Sequence, residues 1–160
     1  MDYRIRHARH DDAAAISRVI IAALRESNAQ DYSAEVIAQV EQHFSPDGVA
    51  AWLSTRTVFV AMRQGELIAT AGLDGTVVRS LFVHPAHQGL GIGRSLIHAV
   101  HAAAAGQGIE VLRVPSSITA EGFYTALGYR KIRDEFHGAE RTVVMEIRLP
   151  VQARVSGESE

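Results

Sequence analysis

Cysteine is absent from the 160-residue chain, which excludes disulfides, thiolate metal sites and a covalent cysteine nucleophile. Long apolar runs are absent as well. None approaches the ~20 residues that span a bilayer, and Met1-Asp2-Tyr3-Arg4 lacks the apolar stretch of a signal peptide, so a cytoplasmic protein with no membrane partner is expected. Lysine is scarce: Lys131 is the single one among 16 basic side chains, a compositional bias without functional meaning. A net charge of −2 argues against broad nucleic-acid binding, which needs a basic face to neutralise phosphates, and no nucleic-acid partner is expected. No repeat or internal linker interrupts it. A composition of 47% hydrophobic and 21% charged residues is that of an ordinary globular chain, and at this length folding buries roughly 70% of the unfolded surface. One domain over residues 1–150 follows, with the polar residues 151–160 read as a disordered tail.

Alternation in Tyr3-Arg4-Ile5-Arg6 reads as a strand, after which Asp11 and Asp12 are placed to cap a helix carrying Ile16, Val19, Ile20, Ala23 and Leu24. Ser33 and Ser45 start two further helices, the second opening on Pro46 and carrying Val49, Trp52 and Leu53. Residues 57–61 and 67–71 pair as a hairpin around Gln64-Gly65. Asp74-Gly75 then turns the chain into a strand over 76–83, whose few polar breaks place it centrally in the sheet. Pro85 ends that strand, and a helix with Leu96, Ile97 and Val100 runs to the stop at Gly106-Gln107-Gly108. A strand at 111–114, a helix over 117–126 with Gly128 as its stop, and a last hairpin around His137-Gly138-Ala139 complete the order. The class is α/β in the α+β sense: a mixed, mostly antiparallel sheet of about seven strands flanked by helices.

Gln88-Gly89-Leu90-Gly91-Ile92-Gly93 lies between a strand and a helix. That position aims main-chain N–H groups, unobstructed by side chains, from the positive end of a helix dipole, and such a nest suits a phosphate. Glycine supplies the unusual φ values and lets a pyrophosphate touch backbone without meeting a Cβ. The helix opens with Arg94 and Ser95, whose side chains add contacts. A dinucleotide fingerprint needs Gly-x-Gly-x-x-Gly, whereas these glycines are spaced two and two; a Walker loop needs Gly-Lys-Ser/Thr, and no lysine is near. The loop pattern is loose in isolation. Its specificity comes from the preceding buried strand, the proline break and the amphipathic helix that follows.

The run Leu81-Phe82-Val83-His84-Pro85-Ala86-His87-Gln88-Gly89-Leu90-Gly91-Ile92-Gly93 resembles the acetyl-CoA-binding motif of the GNAT superfamily of N-acetyltransferases. A second stretch, Ser117-Ile118-Thr119-Ala120-Glu121-Gly122-Phe123-Tyr124-Thr125-Ala126-Leu127-Gly128-Tyr129, is similar to that family's later signature, a Phe-Tyr pair before a Leu-Gly-aromatic helix stop. The element order fits over roughly residues 3–149. The resemblance implies a splay between the fourth and fifth strands. It also implies acetyl-CoA as cosubstrate, no metal, and direct attack of a primary amine on the thioester within a ternary complex. Backbone groups of Leu81, Phe82 and Val83 would pair with the pantetheine arm, an amide near Val83 would polarise the carbonyl, and Gln88 to Gly93 would hold the pyrophosphate. Arg94, Ser95, Ser117 and Phe123 complete the implied cofactor set. Tyr124 would be the general acid for the departing thiolate. The acceptor is a small-molecule or peptide amine, and the resemblance leaves room for a homodimer.

One departure stands out. Where family members often keep a carboxylate on the fourth strand, this one reads Thr76-Val77-Val78-Arg79-Ser80-Leu81. A protonated amine, with a pKa near ~10.4, must still lose a proton. Asp74 and Glu121 are candidate bases, although a turn aspartate or an exposed helix glutamate is ordinarily a cap or a solvated charge. Arg79 faces either the acceptor cleft or the opposite side, and in the cleft it would suit an acceptor carrying a carboxylate. His84 and His87 read as surface residues beside the loop. His98 and His101 share a helix face but lack a third metal ligand. Trp52 reads as core. An alternative function, a sensor that holds acetyl-CoA without turnover, is compatible with the missing strand carboxylate.

Overall fold

The computed structural model describes residues 2–150; the stretch 151–160, read from sequence as a tail, lies outside them. In chain order the elements are β1 (Tyr3–His7), α1 (Ala13–Glu26), α2 (Ala34–Glu41), α3 (Pro46–Leu53), β2 (Thr57–Arg63), β3 (Glu66–Asp74), β4 (Val77–Val83), α4 (Ile92–Gly106), β5 (Val111–Ser116), α5 (Glu121–Ala126), β6 (Arg130–His137) and β7 (Glu140–Arg148). The strands form one sheet in the order β1-β2-β3-β4-β5-β7-β6, with every pair antiparallel except β4 and β5. Among the described residues no helix is long and apolar enough to cross a membrane.

Helices cover both faces, each burying one apolar stripe. On one side Ile16, Val19, Ile20 and Leu24 of α1 pack with Ile37 of α2, Val49 of α3, and Val60 and Leu67 of the sheet. On the other, Ile92, Leu96, Ile97 and Val100 of α4 meet Ile68, Val78, Leu112, Val143 and Met145. Each of these fully buried aliphatics contributes about 1.5–3 kcal/mol relative to exposure, so the α4 stripe anchors the glycine loop that precedes it.

Local signals account for most of the boundaries. Ser33 Oγ accepts from Val36 N at 3.2 Å and Ser45 Oγ from Gly48 N at 3.1 Å, capping α2 and α3 as the residue types suggest. Positive φ at Gln64 (52°) and Gly65 (78°) gives the tight turn between β2 and β3. Two expectations require correction. Asp12 does not cap α1; its carboxylate takes the Arg6 guanidinium at 2.8 Å and the Arg9 amide at 2.7 Å, because a full cation is the stronger partner. The helix expected over 117–126 begins only at Glu121, since Ser117 Oγ accepts from Ala120 N at 3.1 Å and closes a turn instead.

Candidate functional site: a gap between β4 and β5

β4 and β5 touch at a single register pair, Val77 with Arg113, and then diverge. Beyond that pair the edge of β4 facing β5 has no strand partner. The central position expected for β4 is correct, yet most of it is only half-buried, because it borders a cleft instead of a packed layer. A β-bulge shapes this edge. The β3–β4 register slips between Thr70 and Gly72, and Ser80 sits at φ 58°, a left-handed conformation rare outside glycine. The extra residue resets the alternation: Val78, Leu81 and Val83 all face the α4 core, whereas Phe82 packs with the α1 core. Because the amide of the next residue, His84, bonds Ile68 O of β3 at 2.8 Å, alternation turns the Val83 N–H and C=O toward the gap.

The gap opens into a cleft of about 950 Å³. Of the implied cofactor set and the candidate acid, Leu81, Phe82, Val83, Gln88, Gly89, Gly91, Ile92, Gly93, Arg94, Ser117, Phe123 and Tyr124 line it. Two do not. Leu90 points outward at 47% exposure, and the Ser95 hydroxyl is engaged by Tyr3 of β1 at 2.6 Å.

The glycines divide into two kinds. Gly89 and Gly91 both have φ of 80°, and a Cβ built on either would meet nothing within 4 Å, so their exposed face is free for a ligand. Gly93 has ordinary backbone, and its Cβ would meet the Phe123 ring at 3.5 Å and Val83 at 3.7 Å, so its role is close packing of α4 against α5 and β4. α4 starts after Gly91 with no side-chain cap, which leaves the N–H groups of its first turn directed at the cleft. A cradle open where a Cβ would stand, set at an uncapped helix start, fits a pyrophosphate. Gln88 acts through its side chain: its Nε2 donates to Ser27 Oγ at 2.8 Å and to Val83 O at 3.2 Å, tying the loop to α1 and to β4.

Tyr124 is 3% exposed and lines the cleft from α5. The end of α5 explains its placement. Gly128 takes φ 101°, its amide bonds Thr125 O at 3.1 Å, and the Tyr129 amide bonds Tyr124 O at 3.0 Å, a Schellman stop that seats Tyr129 against Tyr124 with ring centroids 5.1 Å apart. Burial, reinforced by Tyr129, pushes the Tyr124 phenol well above its ordinary value, so the hydroxyl stays protonated at neutral pH. Behind it the Tyr129 hydroxyl is 2.6 Å from His101 Nε2. Burial, with a smaller contribution from His98, lowers His101 to about 4, so the ring that shares this hydrogen bond is neutral. His101 thus serves the core. Among the described residues no three metal-ligating side chains are gathered.

The two candidate bases stand away from the cleft. Asp74 lies 3.6 Å from both Arg56 and Arg79 and does not line the cleft; neither does Glu121. His84 Nδ1 accepts from Ala86 N, while His87 lies 3.2 Å from Arg63 and also borders the cleft. Trp52 packs with the α1 core, as read, but also borders the cleft, with the Arg56 guanidinium 4.9 Å over its ring. Sequence reasoning missed Arg56, His43, His137 and Glu140, all of which line the cleft, Glu140 being its one carboxylate among the described residues. It also missed Tyr32, whose hydroxyl accepts from Ile118 N at 2.7 Å and donates to Arg141 O at 2.8 Å across the cleft mouth. None of these positions carries a local motif.

The sequence profile of the acetyltransferase (GNAT) domain matches residues 28–149. The chain belongs to the GNAT acetyltransferase family. A comparison with curated proteins finds no match. Among solved structures, a GCN5-related N-acetyltransferase from Rhodopseudomonas palustris is similar at 26% identity and a TM-score of 0.88, covering 93% of this chain and 97% of that one. PaiA N-acetyltransferase from Thermoplasma acidophilum, solved in complex with coenzyme A, is 18% identical with a TM-score of 0.79, covering 92% and 99%. YncA from Salmonella typhimurium, solved with its cofactor acetyl-CoA, is 22% identical with a TM-score of 0.68, covering 94% and 95%. The last two share the fold.

Proposed function

We propose that the protein transfers an acetyl group from acetyl-CoA to a primary amine, carried by a small molecule or a peptide, by direct attack in a ternary complex. The observation that carries this reading is the joining of an unpaired β4 edge, an uncapped helix start with glycines open to a ligand, and a buried protonated tyrosine in one cleft. Gly89, Gly91 and the first turn of α4 hold the pyrophosphate. Leu81 to Val83 take the pantetheine arm along the free edge, with the Val83 amide directed at the carbonyl oxygen. Arg94, Ser117 and Phe123 border the same path.

Bound acetyl-CoA supplies an activated thioester carbonyl. The acceptor nitrogen forms the new C–N bond as the C–S bond breaks, and sulfur leaves with the proton donated by the Tyr124 hydroxyl. The nitrogen sheds its surplus proton to water in the cleft or to Glu140, the carboxylate that lines it, and that proton returns through water to the Tyr124 oxygen. Asp74, held between two guanidiniums, is not needed for this step.

The test is calorimetric titration with acetyl-CoA of the intact protein and of Gly91→Glu, followed by an amine screen reading thiol release. Micromolar binding that the variant loses, with thiol release on at least one amine, supports the reading. Binding without transfer to any amine identifies an acetyl-CoA sensor, and no binding removes the function while leaving the fold.

A further inference from the structure

At the end of the cleft away from the glycine loop stand two guanidiniums. Arg79 is on β4, two residues before Leu81 and so roughly 5–7 Å along the strand from the first position proposed for the pantetheine arm. Arg56 follows the end of α3, half-buried at 18% side-chain exposure. Both line the cleft, together with the apolar Val40, Phe44 and Trp52. The bulge at Ser80 is what lets Arg79 face this side while Leu81 and Val83 face the α4 core.

Charge at this end is not balanced. Among the described residues Asp74 is the single carboxylate within ion-pair distance of either arginine, 3.6 Å from Arg56 Nε and 3.6 Å from Arg79 Nε, too long for a hydrogen bond. Arg79 Nε is buried and has no hydrogen-bond partner, although the side chain as a whole is 41% exposed. Arg56 stacks over Trp52 and shares Asp74 with its cationic neighbour. Burial lowers the pKa of Arg56; Asp74 counters this and the nearby Arg79 adds to it. Two guanidiniums on one aspartate leave a net positive charge facing a cleft with apolar walls. A guanidinium fork matches the planar geometry of a carboxylate, as it does a phosphate, and the phosphates of the cosubstrate are proposed to sit at the other end of the cleft.

We propose that the acceptor is an amine that also carries a carboxylate, bound by Arg56 and Arg79 at the end of the cleft distant from the pyrophosphate. The proposal rests on the acetyltransferase reading above, and it narrows the acceptor class to amino-acid-like molecules and peptides with a nearby carboxylate. The amine end of such a molecule is directed toward Leu81 and Tyr124. The apolar part lies against Phe44 and Trp52.

The test uses products, which bind without reacting. The coenzyme A complex of the intact protein is titrated with N-acetyl derivatives of the twenty amino acids, each as free acid and as carboxamide. At least one free acid should bind tenfold or more tightly than its carboxamide. That preference should fall below threefold in Arg79→Gln and in Arg56→Gln, whose acetyl-CoA affinity, measured separately, shows that they are folded. Arg79→Lys, which keeps the charge but loses the fork, should retain part of the preference. No free acid favoured over its carboxamide, or a preference that survives both glutamine variants, overturns the proposal. Loss of acetyl-CoA binding by the intact protein would instead overturn the acetyltransferase reading itself, so the two failures are distinct.

Discussion

The Tyr32 hydroxyl and the Ile118 amide are 2.7 Å apart, although 86 positions separate them in the chain. The same hydroxyl donates to Arg141 O at 2.8 Å, and next to it Asp31 accepts from Thr119 Oγ1 at 2.8 Å. The segment between α1 and α2 is thereby fastened to the β5–α5 turn and to β7. On its other flank Ser27 receives Gln88 of the glycine loop. One short segment therefore links both walls of a cleft that has no sheet ladder to hold it closed.

Tyr32→Phe removes both hydrogen bonds and leaves two part-buried backbone groups unpaired, which should cost about 1–3 kcal/mol. Urea denaturation should show that loss. Amide exchange at Ile118 should speed up at the same time, because its hydrogen bond is released. Unchanged exchange at Ile118 would mean that the bridge does not hold the wall.

Gly91→Ala and Gly93→Ala should separate in two measurements. At Gly91 the alanine must adopt φ of 80°, costing about 1–2 kcal/mol, and its methyl group occupies the face that the pyrophosphate needs. Stability and acetyl-CoA affinity should fall together, the latter tenfold or more. At Gly93 the methyl meets Phe123 at ordinary contact distance and helix propensity improves by up to about 1 kcal/mol. Stability there should hold or rise, and affinity should stay within about threefold by calorimetry.

The contrast between these glycines also marks where sequence reading ends. The loop was legible because glycine, proline and helical periodicity are all local signals, and so was the Leu127-Gly128-Tyr129 stop, whose positive φ falls on the glycine. The bulge was not. Its left-handed residue is Ser80, an uncommon choice, and without the bulge a strict alternation would put Ser80 and Phe82 on the face of Val78. Tyr32 and Arg56 sit in polar stretches with no period, and only tertiary contacts bring them to the cleft. Asp12 shows the opposite failure: a capping residue by type was recruited by Arg6 from β1.

Tyr124→Phe keeps the aromatic packing with Phe123 and Tyr129 and removes only the hydroxyl. Thermal stability should change by about 1 kcal/mol or less. If the phenol protonates the thiolate, kcat should fall by about 10²–10⁴ with acetyl-CoA affinity intact. The upward shift of the phenol also means that the wild-type rate should show no loss from its ionisation up to pH 10. Full turnover by the variant with any accepted amine would remove Tyr124 from the mechanism.

His101 gives a pH dependence whose sign is set by burial. In the unfolded chain it titrates near 6.5, in the fold near 4, so between these values the unfolded state binds more protons and stability falls as the pH drops. The shift bounds the effect at about 3 kcal/mol, and solvent contact of the half-buried ring reduces that to about 1–2 kcal/mol. Asp2 and Asp12, held below the usual carboxylate range by Arg63 and Arg6, also lose their stabilising charge in acid, but their unfolded value of 3.8 confines that loss to lower pH. His101→Gln retains a polar group for the Tyr129 hydroxyl and removes the titration. Urea denaturation at pH 7.5, 5.5 and 4.5 should show the wild type losing stability across the series and the variant losing about 1–2 kcal/mol less. Parallel losses in the two proteins would place the acid sensitivity elsewhere.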